Sequence, residues 1–318
     1  MKNLNFFIKK NTDNITFISG LTRSGKSILC PIVSSFRNHE MFIMNSIAEN
    51  ILHLNLCKNI HDDAAKHLIK LTFNERFHDL TIGRNLNLKA GDYTSIKKHI
   101  NFKDYDKRIN TEDSVNLFKK IKKKNFVVMF HDLMVNLKII FKCYPEVKII
   151  NITRNPIDLI LDWANKKYDL DFYKDVRNTT LCYTNKKLIL PYYLNFSSQK
   201  ISKKNNKFEN IINQIYILEK LYEKNFKMIS GNYKKNILNL TFDNLTIKTS
   251  HVIKKIEFFL KNKKTIHTKK ILLNENCPRK INLKTRKENE IFIKKKINKS
   301  SLNKLRYLMN RFDNLNRL

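Results

Sequence analysis

Four short apolar runs predict the strands of a β-sheet. They are ITFIS (15–19), NFVVMF (125–130), VKIINIT (147–153) and KNILNLTF (235–242). The third run is apolar almost throughout, as is typical of strands buried on both faces of a parallel sheet. Other segments carry apolar residues at helical spacing. They predict helices at 47–71, 111–124, 132–144, 157–168, 209–230, 249–261 and 301–316.

The alternation of strands and helices predicts an α/β fold, in which right-handed crossovers join a central parallel sheet that is flanked by helices. Segments 74–110 and 169–208 are polar or irregular, and 262–300 is lysine-rich and weakly patterned. No internal repeat and no clear linker divides the chain. We therefore predict a single domain, 1–318, with a core at about 13–262 and a basic helical C-terminal extension at about 263–318.

The first predicted strand leads into a loop with the chemistry of a phosphate site. Residues 20–27 read GLTRSGKS and fit the pattern G-x-x-x-x-G-K-[ST], in the strand–loop–helix context that it requires. The glycines let the backbone turn tightly, so successive N–H groups and the helix N-terminus can surround a phosphate. This predicts a three-layer fold of the P-loop type. Lys26 and Ser27 alone favour a kinase or NTPase that uses Mg-ATP, with Asp132 as its acidic residue.

A second segment is similar to a different class of enzyme. Residues 130–163 contain His131 after a strand, then a helix, the strand VKIINIT, the sequence RNPID (154–158) and Trp163. This arrangement resembles the sulfotransferases, which take a sulfonate group from 3′-phosphoadenylyl sulfate (PAPS). Residues 237–260 are similar to the late strand, acidic turn and helix of that family. The resemblance is discontinuous and extends over about residues 15–260.

The resemblance implies roles for individual residues. His131 is placed as the base that deprotonates the acceptor. From the mechanism of transfer, and not from the resemblance, we expect Lys26 to help neutralise the leaving phosphate. Arg23 would contact the 5′ phosphosulfate of the donor, and Arg154 its 3′-phosphate. A basic C-terminal loop would cover that phosphate. The donor-binding residues expected on this basis are Arg23, Ser24, Gly25, Lys26, Ser27, Arg154, Asp162, Arg279 and Lys280. This scheme requires no metal.

Two positions depart from the family pattern. Lys26 stands where a hydroxyl residue is common, and Asp162 stands where a serine usually contacts the 3′-phosphate. A carboxylate beside a phosphate is repulsive unless a cation lies between them. We therefore expect Asp162 to turn away or to pair with a lysine, unless the donor lacks that phosphate. A helical i,i+4 ion pair between Arg154 and Asp158 is the structural alternative to a donor-binding Arg154.

The net charge of +34 adds a third hypothesis, a non-catalytic basic binding protein. The lysine-rich run 119–124 lacks the interleaved aromatic residues that would stack on bases, so dedicated nucleic-acid binding is not expected. A positive field also attracts an anionic nucleotide donor. His53, Cys57 and His61 recur every four residues, but they lack a clear fourth ligand, so we expect no metal site.

The remaining features concern location and acceptor. No apolar run approaches the ~18 residues of a membrane span, and no signal peptide is recognisable. The five cysteines include no CxxC pair, which favours reduced thiols and a cytoplasmic protein. We expect the acceptor, a small molecule or a glycan, to contact residues 74–110 and the tyrosine-rich stretch 168–196. The oligomeric state is not predicted.

Overall fold

A five-stranded parallel sheet forms the centre of the molecule. The computed structural model describes residues 7–99, 102–111, 113–121, 123–168, 174, 179–185, 188–197 and 206–317. The strands of the sheet are β1 (Ile15–Ser19), β2 (Ile43–Met44), β3 (Phe126–Met129), β4 (Lys148–Thr153) and β7 (Ile237–Thr241), in the order β2-β3-β1-β4-β7. A separate antiparallel hairpin consists of β5 (Cys182–Asn185) and β6 (Leu188–Pro191). The four strands predicted from the apolar runs are confirmed.

Helices cover both faces of this sheet. They are α1 (Lys26–Ser34), α2 (Ser46–Leu56), α3 (Asp62–Ile82), α4 (Phe102–Ile109), α5 (Ser114–Ile121), α6 (Leu137–Cys143), α7 (Pro156–Asn165), α8 (Lys207–Met228), α9 (Gly231–Lys234), α10 (Phe242–Ile247), α11 (Thr249–Leu260), α12 (Ile266–Asn274), α13 (Leu283–Lys295) and α14 (Lys299–Arg317). None of the described helices is long and apolar enough to span a membrane.

Neighbouring residues of β1 contribute to opposite layers of the core. Phe17 packs against Phe73 of α3, with ring centroids 5.6 Å apart, and against Phe130, at 5.1 Å. Ile18 lies instead in the cluster that contains Leu29 of α1. Because successive side chains of a strand point to opposite faces, the central strand is buried on both sides. The predicted three-layer α/β fold is therefore confirmed.

The first long helical prediction is wrong in its extent. Residues 47–71 form parts of two helices, α2 and α3, which are separated at 57–61. Lys58 between them has a φ of 66°, which a continuous helix does not allow. The second helix continues to Ile82 and ends at Gly83, whose φ of 79° suits glycine at a helix C-terminus. A Cβ on Gly83 would lie 2.7 Å from the backbone nitrogen of Ile109.

The lysine-rich segment 262–300 is more regular than its pattern predicts, because it contains helices α12 and α13. Ile293 of α13 is fully buried, as is Leu305 of α14, and both belong to the cluster that includes α7 and α8. A few apolar anchors among many lysines therefore hold these helices against the core. The boundary placed at about residue 262 stays a prediction.

Candidate functional site

The carboxyl ends of four parallel strands meet at one edge of the sheet. The loop 20–25 follows β1, His131 follows β3, Arg154 follows β4 and Phe242 follows β7. Ligand sites of open α/β sheets lie in the crevice beyond these strand ends. The fold thus brings the two motifs found in the sequence to the same edge.

Two glycines shape the loop that follows β1. Gly20 has a φ of 154°, and a Cβ there would lie 2.4 Å from Ser24 Oγ. Gly25 has a φ of 108°, and a Cβ there would lie 2.4 Å from the Phe242 ring. Ser24 is fully buried and its Oγ has no hydrogen-bond partner among the described residues, whereas Ser27 is exposed. The loop is compact, and only glycine fits its two tight positions.

Lys26 is buried within its own loop. Its Nζ donates to the carbonyl oxygens of Gly20 and Leu21, both at 2.7 Å. Burial lowers the pKa of this lysine to about 8, although the negative charges of Asp132 and Glu49 oppose the shift. An ammonium group has three N–H donors, so one donor of Lys26 remains beyond these two bonds.

Sequence reasoning missed Glu49, a buried carboxylate that supports His131. Glu49 Oε1 accepts the backbone N–H of His131 at 2.6 Å and lies 3.2 Å from its Nδ1. Burial acts to raise the pKa of Glu49, but the charge and hydrogen bonds of His131 hold that pKa below its ordinary value. The two residues are 82 positions apart, so spacing gave no signal for the pair.

The contact with Glu49 suits His131 for proton transfer. A carboxylate at Nδ1 holds the ring and favours the tautomer with the proton on Nδ1. The other ring nitrogen, Nε2, then keeps its lone pair. The side chain of His131 is 31% exposed, so an acceptor group can approach it.

Asp132 is the acid on which the Mg-ATP alternative depends. Burial raises its pKa to about 6, against the opposing charges of His131 and Lys26. Its Oδ1 has no hydrogen-bond partner among the described residues. Within the described ranges, no group of three histidine, cysteine, aspartate or glutamate side chains is arranged to hold a metal ion. The candidate ligand His53 instead stacks on Tyr192, with ring centroids 3.8 Å apart.

Asp162 joins two arginines at the mouth of the loop. Its Oδ2 accepts Arg23 Nε at 3.0 Å and Arg154 Nη1 at 2.7 Å, and Arg154 Nη1 also donates to the Arg23 carbonyl at 3.0 Å. Burial acts to raise the pKa of Asp162, but the two guanidinium groups hold it below its usual value. The expectation that Asp162 turns away or pairs with a lysine is wrong, because arginines surround it.

The structural alternative, an ion pair between Arg154 and Asp158, is not formed. Asp158 accepts hydrogen bonds from Arg286 of α13, at 2.6 and 3.2 Å. Arg154 instead contacts Asp162 and the Phe242 ring, and the ring centroid lies 5.6 Å from the guanidinium carbon of Arg154. Arg279 approaches the same ring at 5.1 Å. Both arginines thus contact one ring, and Lys280 follows Arg279 at an exposed position.

Trp163 has a polar contact in addition to its packing. Its side chain is almost fully buried, and its Nε1 donates to the carbonyl oxygen of Thr22 at 2.9 Å. The helix that carries Asp162 is therefore bonded to the loop through two neighbouring residues. This contact fixes the distance between the loop and α7.

The expected acceptor segments are only partly described. Tyr93, within 74–110, stacks on Phe42 at 5.9 Å and its hydroxyl lies 3.2 Å from Met44 Sδ, at the end of β2. This part of the segment therefore lies beside the strand end next to His131. In the tyrosine-rich stretch, residues 169–173, 175–178 and 186–187 lie outside the described residues.

No protein-family model matches the chain, and no curated protein matches it either. Among solved structures, it is similar to the sulfotransferase domain from the curacin biosynthetic pathway, at 12% identity, covering 80% of this chain and 76% of that one, with a TM-score of 0.43. It is also similar to the sulfotransferase domain of the Synechococcus olefin synthase, at 14% identity over 87% of this chain and 82% of that one, with a TM-score of 0.42. A third similar structure is retinol dehydratase, solved with androsterone and the inactive cofactor PAP. It is 12% identical over 94% of this chain and 80% of that one, with a TM-score of 0.33.

Proposed function

We propose that this chain transfers a sulfonate group from PAPS to a hydroxyl or amine of a small-molecule or glycan acceptor. The observation that carries the proposal is the pairing of two features at adjacent strand ends. One is an anion-binding loop with a buried lysine, and the other is a histidine held by a buried carboxylate. An anionic donor and a base for its acceptor are the two requirements of sulfonate transfer.

The site meets these requirements by positioning and charge. Transfer is an in-line displacement at the tetrahedral sulfur, which breaks the bond to the 5′-phosphate oxygen and forms a bond to the acceptor oxygen. His131 Nε2 takes the acceptor proton. Loop N–H groups, Arg23 and Lys26 stabilise the charge that develops on the leaving phosphate. Arg154 and Arg279, which contact one aromatic ring, would hold the far end of the nucleotide.

The large positive charge suits this ligand. A net charge of +34 produces a field that attracts nucleotide polyanions and raises their rate of association. The same field also suits the third hypothesis, a basic protein that binds polyanions without catalysis. Binding of PAP, the desulfonated donor, distinguishes the hypotheses.

Calorimetric titration with PAP and with Mg-ATP tests the proposal. We expect PAP to bind without metal, and Arg154→Ala to weaken that binding about fivefold or more, because a charged hydrogen-bond donor is lost. Arg306→Ala, an exposed position on α14, is the control with the same change of net charge. Release of labelled sulfate from PAPS, with water as acceptor, then tests turnover.

The alternatives predict different titrations. Mg²⁺-dependent ATP binding without PAP binding would identify a kinase or NTPase that uses Lys26, Ser27 and Asp132. Binding of heparin or RNA, with neither nucleotide bound, would identify a non-catalytic basic protein. Either result contradicts the sulfotransferase proposal.

A further inference from the structure

The contacts of Asp162 form a closed arrangement across the mouth of the loop. Arg23 belongs to the loop, Arg154 follows β4, and Asp162 lies on α7. Asp162 bonds to both guanidinium groups, and Arg154 also bonds to the Arg23 carbonyl. The two arginines that we expect to bind an anionic ligand therefore already bind the same carboxylate of the protein, that of Asp162.

Two features favour the Asp162 carboxylate in competition with a ligand phosphate for the arginines. The side chains of Asp162 and Arg154 are 18% and 24% exposed, so solvent screens their attraction less than at an open surface. Asp162 is also tethered, which gives it a high effective concentration at the arginine pair. A ligand phosphate that approaches Arg154 must displace the carboxylate or lie next to a like charge.

The arginine pair nevertheless keeps capacity for a ligand. Arg154 Nε is buried and has no hydrogen-bond partner among the described residues. Among the described residues, Asp162 Oδ1 accepts a single longer contact of 3.4 Å from Arg23 Nη2, whereas Oδ2 accepts the two shorter bonds. Two guanidinium charges thus meet one carboxylate charge, which leaves one net positive charge and donors that are not saturated.

We propose that Asp162 is a specificity-determining residue. It is an internal anion that pairs with Arg154, which would hold the second phosphate, as well as with Arg23 of the loop, and it reduces the preference of the site for a nucleotide with a second phosphate. This inference rests on the proposed function, since it takes the ligand to be a nucleotide held by the loop. Binding exchanges ion pairs and makes or breaks no covalent bond. Asp162→Asn or Asp162→Ser removes the competitor while both arginines keep their charge.

The direction in which substitution of Asp162 changes the affinity for phosphate distinguishes a competing role from a role in orienting Arg154. If Asp162 competes with phosphate, its removal strengthens phosphate binding. If Asp162 holds Arg154 in a productive orientation, its removal weakens that binding. Two nucleotides that differ only by the 3′-phosphate, adenosine 5′-monophosphate (AMP) and PAP, report on the subsite separately from the loop.

Calorimetric titration of wild type, Asp162→Asn and Asp162→Ser with PAP and AMP is the test. We expect both variants to bind PAP about tenfold more tightly than wild type, with a smaller change for AMP, because a like charge is removed beside one phosphate. Asp313→Asn, at an exposed position of α14, matches the change of net charge and should alter neither affinity. In wild type, we expect PAP to bind less than about tenfold more tightly than AMP.

The outcomes separate this inference from the proposed function. Unchanged or weaker PAP binding in the variants, or a wild-type preference for PAP above about tenfold, overturns the role of Asp162 and leaves the sulfotransferase proposal standing. Failure of every folded variant and of wild type to bind either nucleotide overturns the proposed function itself. The wild-type ratio needs no variant, so it decides even where a substituted chain does not fold.

Discussion

Replacing Arg286 with methionine should destabilise the fold by about 3 to 5 kcal/mol. Arg286 of α13 bonds to Asp158 in the first turn of α7 and to Asp243 in the first turn of α10, with both shortest contacts at 2.6 Å. The side chains of Asp243 and Asp158 are 6% and 23% exposed. Removing one partner from a buried ion pair costs about 3 to 5 kcal/mol, because the remaining charge loses its compensation.

This free energy converts into a measurable change in melting temperature. An unfolding entropy of roughly 2.1 cal/mol/K per residue, over 318 residues, amounts to about 0.7 kcal/mol/K. The variant is therefore expected to melt about 4 to 7 °C below wild type. Methionine keeps most of the side-chain volume, so loss of packing contributes little to the difference.

Differential scanning calorimetry of three variants tests this reasoning. Lys287→Met, at an exposed position of the same helix, is the control and should melt near wild type. Combining Arg286→Met with Asp158→Asn and Asp243→Asn should recover at least half of the loss, because no buried charge is then left unpaired. If Arg286→Met melts within about 1 °C of Lys287→Met, the network does not hold α13 to the core.

Three further predictions concern the site. Glu49→Gln should slow sulfate release from PAPS about 5- to 30-fold, because a neutral hydrogen bond to His131 is about 1 to 2 kcal/mol weaker than a charged one. In urea titrations, the unfolding free energy of Asp132→Asn relative to wild type should rise by about 2 to 3 kcal/mol between pH 4 and pH 7.5. The pKa of Asp132 is raised from 3.8 to about 6, so wild type loses stability as the pH rises through 6, whereas asparagine does not titrate. Gly25→Ala should abolish PAP binding in calorimetry, because its φ of 108° and the Phe242 ring exclude a Cβ.

Each of these predictions has a control or a contrary result. Gly91→Ala adds a methyl group where no atom lies within 4 Å, so PAP binding should persist. A stability difference for Asp132→Asn that is the same at both pH values would contradict the raised pKa. An unchanged rate in Glu49→Gln would show that the carboxylate does not assist His131.

The sheet and its loop could be predicted because they depend on local signals. Four strands are apolar runs, and the loop carries glycines where its backbone requires positive φ. Helix α13 could not be predicted in this way, since Ile293 is its one fully buried residue among many charges. Its position depends on Arg286 and two carboxylates 43 and 128 residues away, which no local pattern contains.

The same limit applies to the candidate site, where the motifs supplied the basic groups but not their acidic partners. The sequence pointed to Arg23, Lys26, His131 and Arg154, yet Glu49 was missed and the partners of Asp162 were predicted wrongly. Each acidic group meets its cation across the fold, 82 residues away for Glu49 and 139 for Asp162 and Arg23. Each of these basic groups has a partner within the chain, and that of Lys26 is a pair of loop carbonyls.

Under the proposed function, nucleotide binding at the arginine pair is an exchange reaction. A phosphate that replaced Asp162 would break the bonds of that carboxylate to Arg23 and Arg154. The affinity then depends on the difference between internal and ligand contacts rather than on the number of basic groups. For this reason the net charge of +34 gives no measure of nucleotide affinity, and removal of one carboxylate, Asp162, should alter that affinity more than removal of an exposed charge elsewhere.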